Sequence, residues 1–260
     1  MRLMKKVMGT VTALALSASL LVGCGSAASS TAASTASSAA ESTASSAVSV
    51  TASSEAVDAD KAAAAQLMKD LTGSYQELWP VILADENTQT WLDDCTALVG
   101  EDNAQAAYEK LSSMVTGDVY GEDAVKAYAN GGGAYFCGFT QGLVTLTFDG
   151  ETSTISGTDK DGKELFSHTY HYIGMEPVRG LYEFESDDAD SGEFTYFFLA
   201  PDTSAETYHI EFRYGADAEA LGQYDAGDYA YWLASGISTD CDQTMINNCI
   251  ELFCTENLAG

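Results

Sequence analysis

The sequence predicts a domain built mainly of antiparallel β-structure, preceded and followed by helices. The first observation is a succession of short β-rich runs, AYFCGF, LVTLTF, STISG, LFSHTYHY, LYEFE, FTYFFL and YHIEFRY. The second is what divides them: Thr140-Gln141-Gly142, Asp149-Gly150, Lys160-Asp161-Gly162 and Asp190-Ser191-Gly192. Asp-Gly between apolar runs is a strong hairpin signal, and strands so regularly spaced form a meander that closes into a small barrel or a sandwich. The third is that helical patterns are confined to the flanks.

Residues 58–71, DADKAAAAQLMKDL, open with an acidic turn and end just before Gly73, as a helix does. Residues 87–99, 102–114 and 122–129 are helical in pattern, the last running into Asn130 and three glycines. After the strands come two more helices, about 216–222 and 240–253. No internal repeat is present, and the two hundred or so residues from 58 to 260 fit one domain.

The N-terminus predicts export. Arg2, Lys5 and Lys6 precede an apolar run from Val7 to Val22, interrupted by Thr12, Ser17 and Ser19. That run is short of the roughly 20 apolar residues a membrane span needs and has the form of a secretory signal, residues 1–23. It ends in Leu21-Val22-Gly23-Cys24, which resembles the lipobox of bacterial lipoproteins and implies lipidation of Cys24. Residues 24–57 are almost pure Ser, Ala and Thr, with too little apolar surface to offset the entropy of ordering. They are expected to be a disordered tether, about 30 Å end to end on average, holding the domain off the outer face of the cytoplasmic membrane.

Removing Arg2, Lys5 and Lys6 from the 11 basic residues leaves 8 against 39 acidic ones, a net charge of −31. Such a surface repels nucleic acid and anionic headgroups and concentrates cations. Of six cysteines, five remain besides Cys24, so at least one thiol is unpaired within the monomer. No C-x-x-C occurs, and the five read mostly as small buried apolar residues with room for one disulfide. G-x-S-x-G, H-E-x-x-H, Walker and Rossmann patterns are all missing. The chain is therefore not expected to be an enzyme. The carboxylates Glu183 and Glu185 share one strand face, a common arrangement in so acidic a chain.

The order of features resembles the ZinT family, extracytoplasmic zinc-binding proteins with a lipocalin-like (calycin) β-barrel. LTGSYQELWPVI, residues 71–82, is similar to that family's L-x-G-x-W-Q-S-V-Y-P-x-L opening, with Tyr75 and Trp79 at aromatic positions. LYEFESDDADSGEFTYFFLAP is similar to its Y-L-F-E strand, polar turn and following strand ending in Ala-Pro. AETYHIEFRYGADAEAL is similar to a segment running S-H-F-H-I-x-x-G-x-D-x-x-x-L, and 240–253 falls where the family has its closing helix. The resemblance covers roughly 71–253, with gaps.

It implies a calycin barrel, zinc as cofactor and a metal-transport component as a partner. The family holds zinc with three barrel-mouth histidines, one before the Ala-Pro and two in an H-x-H. Here the first position falls near Phe197 or Phe198, the second is Thr207, and only His209 matches. The family's His-rich loop is also missing. Zinc wants three or four N, S or carboxylate ligands, so the expected site is degenerate or rebuilt: His209 with Glu206, or Asp202, from the adjoining loop, and His168 or His171 from another strand. His168 and His171 are three apart on one strand and face opposite sides. His209 shares a face with Thr207 and Glu211, opposite Tyr208, Ile210 and Phe212. If Ile210 and Phe212 pack outward under the helices, His209 faces the lumen, as its family position implies. The competing expectation is a barrel without metal, its aromatic lumen serving a small apolar ligand or a partner protein.

Overall fold

A computed structural model describes residues 46–201 and 209–259. Eight antiparallel strands form a closed barrel in which each strand pairs with its neighbours in sequence and the last pairs with the first. They are β1 (Gly73–Glu77), β2 (Thr145–Asp149), β3 (Thr154–Thr158), β4 (Glu164–Met175), β5 (Tyr182–Ser186), β6 (Tyr196–Leu199), β7 (His209–Gly215) and β8 (Ala234–Ser238). The calycin-like expectation and the helices on both flanks therefore hold. Of the two closures left open, the barrel is the one adopted.

The pleat sends alternate side chains into the lumen, and the register identifies which. Tyr75 sits opposite Leu146 across β1 and β2, Phe148 opposite Ile155, and Phe184 opposite Phe197. Phe197 in turn faces Tyr214, and Phe212 faces Ala234. These residues are buried in one cluster with Phe166 and Tyr170, so the lumen is a packed aromatic core.

Both ends are stopped. Helix α1 (Ser46–Asp70) carries Ala64, Leu67 and Met68 at helical spacing, and these join the lumenal cluster with Leu71. This plugs the end where β1 begins. At the other end the 3-10 turn Gly192–Phe194 lays the Phe194 ring on Phe166, centroids 3.9 Å apart and planes 14° apart. Tyr214 donates its hydroxyl hydrogen to the Thr140 carbonyl at 2.9 Å, which ties down the segment crossing that opening.

A second core lies outside the barrel. It joins α2 (Leu78–Ile82), α3 (Thr88–Val99), α4 (Glu101–Ser113) and α7 (Gln243–Leu258) over Ile237 of β8, through Trp79, Ile82, Trp91, Cys95 and Ile250. Asp242 caps α7 by accepting from the Met245 amide at 2.9 Å. Two short helices complete the set: α5 (Glu122–Ala129) and α6 (Ala218–Leu221).

Three local expectations are revised. AYFCGF makes only isolated bridges at Phe136 instead of a strand, because its amides and carbonyls pair with 231–235 and with Met114. The barrel takes its closing strands from GSYQE and ASGIS, which lack an apolar alternation. A Cβ at Gly236 would fit tightly there, 3.1 Å from the Ile210 side chain and 3.3 Å from that of Phe139. Helix α1 begins at Ser46, twelve residues before the expected start at Asp58. Cys24 lies outside the described residues.

Candidate functional site

The barrel separates the histidines. His168 lies across from Ile155, so it is on the lumenal face of β4. His209 lies across from Ile237, whose side chain is buried in the outer helical core. His209 is thus on the outside, and the expected lumenal placement is corrected. The reason is the apolar face of β7: Ile210, Phe212 and Tyr214 are the residues that fill the lumen, and the pleat then sends His209, Glu211 and Arg213 outward.

His168 and His209 are also at opposite rims. His168 reaches Asp188 in the connection from β5 to β6, whereas His209 opens β7 after the connection from β6. Successive connections of an up-and-down barrel alternate between its ends. The expected set His209, Glu206 and His168 therefore does not assemble around both histidines. Glu206, Asp202 and Thr207 lie outside the described residues.

What β4 and the residues following β5 form instead are two separate imidazole–carboxylate pairs. His168 Nδ1 is 2.8 Å from Asp188 Oδ2, with its ring stacked beside Phe166 at 5.9 Å. His171 Nδ1 is 2.7 Å from Asp187 Oδ1. An ionised carboxylate only accepts, so both Nδ1 atoms carry the hydrogen and donate it. In the neutral ring this leaves Nε2 as the lone-pair nitrogen.

The two then differ in surroundings. His168 is nearly enclosed, its side chain 16% exposed. His171 is 53% exposed, and its Nε2 lies 3.9 Å from Glu185 Oε2. Register puts His171 directly across from Glu185. The other oxygen of Glu185 accepts from the Tyr196 hydroxyl at 3.1 Å, which holds the carboxylate in place. The Asp187 amide donates to the Thr169 carbonyl at 2.8 Å, and Ser186 and Ser191 brace the same turn through their hydroxyls at 2.8 Å.

Two ligand atoms each about 2.05 Å from a tetrahedral zinc stand about 3.3 Å apart. The 3.9 Å between His171 Nε2 and Glu185 Oε2 is within a small torsion of that. Asp187 adds no third ligand because it occupies the opposite ring nitrogen. Among the described residues no three His, Cys, Asp or Glu side chains converge to hold a metal ion. Glu185, Asp187 and Asp188 were missed in the sequence, because the register that sets Glu185 against His171 includes a shift between Tyr172 and Gly174 that the sequence does not signal.

Two surface clefts carry no histidine. One, about 370 Å³, is lined by Glu176, Val178, Glu183 and Gln223, and burial followed by the nearby Glu176 charge raises the Glu183 carboxyl above its ordinary value. The other, about 310 Å³, is lined by Trp79, Phe136, Cys137 and Glu77, and burial pushes the Cys137 thiol up to about 12.

No family model matches the chain, and no curated protein matches it. Two similar solved structures are described as the Zn(II)-bound ZinT-like domain of Streptococcus pneumoniae AdcA and Zn(II)-bound AdcA from the same organism. The first is 16% identical, with a TM-score of 0.45, over 71% of this chain and 89% of that one. The second is 15% identical, with a TM-score of 0.40, over 75% of this chain, which spans about a third of AdcA's length (35%).

Proposed function

We propose that this chain is a lipid-anchored, extracytoplasmic binding module, not an enzyme, that holds a divalent metal, zinc foremost, weakly on the outside of its barrel. The observation that carries the reading is His171, whose Nδ1 hydrogen is taken by Asp187 at 2.7 Å while Nε2 faces Glu185 at 3.9 Å. That is the tautomer and the carboxylate partner an N,O metal site uses. Water completes the coordination, so the metal exchanges readily, as suits delivery to a transport component. The resemblance of residues 71–253 to the ZinT family supports metal as the cargo, and the substitution of two of its three histidines supports a site rebuilt elsewhere. The packed lumen disfavours a small apolar ligand.

Calorimetric titration with zinc at pH 7.5 tests the reading. The expected Kd is weaker than about 10 μM for two protein ligands, with loss of about tenfold in affinity in His171→Ala and little change in His209→Ala. Loss of binding in His209→Ala alone would place the metal at the family position. Absence of binding in the wild type would favour a partner protein as the ligand. For the anchor, Cys24→Ala should abolish partition into the detergent phase; undiminished partition would contradict lipidation at that residue.

A further inference from the structure

The outer helical layer holds two cysteines that the proposed metal site does not use. Cys95 is on α3 and Cys254 on α7, and their sulfurs are 3.9 Å apart. Both residues are fully buried, and the same helix pair is packed through Trp91 and Phe253, whose ring centroids are 6.0 Å apart. Residues 159 apart in sequence are thus in sulfur-to-sulfur contact at the joint between the helices before the strands and the helix after them.

We propose that Cys95 and Cys254 form a disulfide that staples α3 to α7, a modification that rests on the reading of the chain as exported to an oxidising compartment. The bond length is about 2.05 Å, so the sulfurs approach by about 2 Å, within reach of side-chain torsions. In the step itself one thiol loses its proton and its thiolate attacks a disulfide of the oxidant, either a small-molecule disulfide or a thiol–disulfide oxidoreductase. One oxidant thiol leaves, and the second cysteine thiolate displaces the other. The two cysteines lose two electrons and two protons, and the oxidant is reduced to two thiols. Burial raises the pKa of both thiols, which suppresses the thiolate in the folded protein. The bond therefore forms while the helices are still closing, and is shielded from reductant afterwards.

The full chain carrying Cys24→Ala has five cysteines. Unfolded and reduced, it is allowed to refold in a reduced/oxidised glutathione buffer, then denatured, alkylated and mapped by mass spectrometry. The expected product has three alkylated cysteines and a Cys95–Cys254 cross-linked peptide. Its melting temperature lies about 5–15 °C above that of the reduced form. Adding Cys254→Ala abolishes the cross-link, even if that variant folds poorly. Five alkylated cysteines in refolded protein, or a cross-link through Cys137, Cys241 or Cys249 in place of this one, would overturn the pairing. Because refolding in glutathione involves no export, the result bears on the pairing and not on the compartment.

Discussion

Phe194 lies flat on Phe166 at the end of the barrel where the connection between β5 and β6 crosses it, with 3.9 Å between ring centroids. Phe166 in turn packs at a tilt against Phe197, ring centroids 5.9 Å apart with planes at 32°, and Phe197 is fully buried in the lumen. These contacts continue the lumenal core up to the rim, so among the described residues the barrel interior is filled by side chains. Wild-type protein should leave an apolar dye such as anilinonaphthalene sulfonate dark. Phe194→Ala should cost about 2 kcal/mol, less than a fully buried Phe, and should bring dye binding with it. Bright dye in folded wild-type protein would restore the apolar-ligand reading.

Arg213 should be the polar residue outside the lumen whose loss costs most. It is completely buried, and its guanidinium donates to the carbonyls of Leu221, Gln223 and Tyr229 while lying 4.4 Å from the centroid of Tyr224. Tyr224 is covered on another side by Arg179 at 4.5 Å and donates to Glu176 at 3.2 Å. Arg213→Ala strands those carbonyls and should cost about 3 kcal/mol. Arg213→Lys keeps the charge but loses the planar fork and should cost about 2 kcal/mol. Urea midpoints measure both; a Lys variant as stable as wild type would show that charge alone suffices.

Asp94 predicts a pH effect of definite sign. Burial, then Glu251 and Asp93, raise its carboxyl above the ordinary value of 3.8, and one of its oxygens is buried without a hydrogen-bond partner. A folded-state pKa above the unfolded one means the folded protein binds more protons in the window above 3.8. Its contribution to stability therefore falls as pH rises through that window, and the penalty is complete above the raised pKa. Asp94→Asn should match wild type near pH 3 and exceed it at pH 7 by up to about 1 kcal/mol, given partial solvent screening. A variant less stable at pH 7 would contradict this.

The architecture was legible wherever the sequence alternates. Asp149-Gly150 and Lys160-Asp161-Gly162 mark the turns after β2 and β3, and the apolar rows of Phe166 and Tyr170, or Phe212 and Tyr214, mark lumenal faces. β1 and β8 were not legible, since GSYQE and ASGIS carry no apolar alternation and Gly236 offers no side chain to mark a face. The face of His209 was misread for a related reason. In a barrel wrapped by helices both faces of a strand can be apolar, and alternation alone does not say which row is inside. Ile210 and Phe212 are inside, as unaided barrel logic gives; a likeness in the neighbouring residues argued the other way. The His171 site depended on strand register, which fixes Glu185 opposite His171 and which no short motif encodes.

The central claim is that metal binds at His171. The chain has three histidines, so a long-range ¹H–¹⁵N spectrum of the imidazole nitrogens contains three ring systems. It shows directly which one a metal touches. Before zinc, His171 should show a hydrogen on Nδ1, held by Asp187. On titration with zinc at pH 7.5, Nε2 of His171 should shift progressively in fast exchange, with His168 and His209 nearly still. Shifts confined to His209 or His168, or no shift at any ring up to millimolar zinc, would contradict the account.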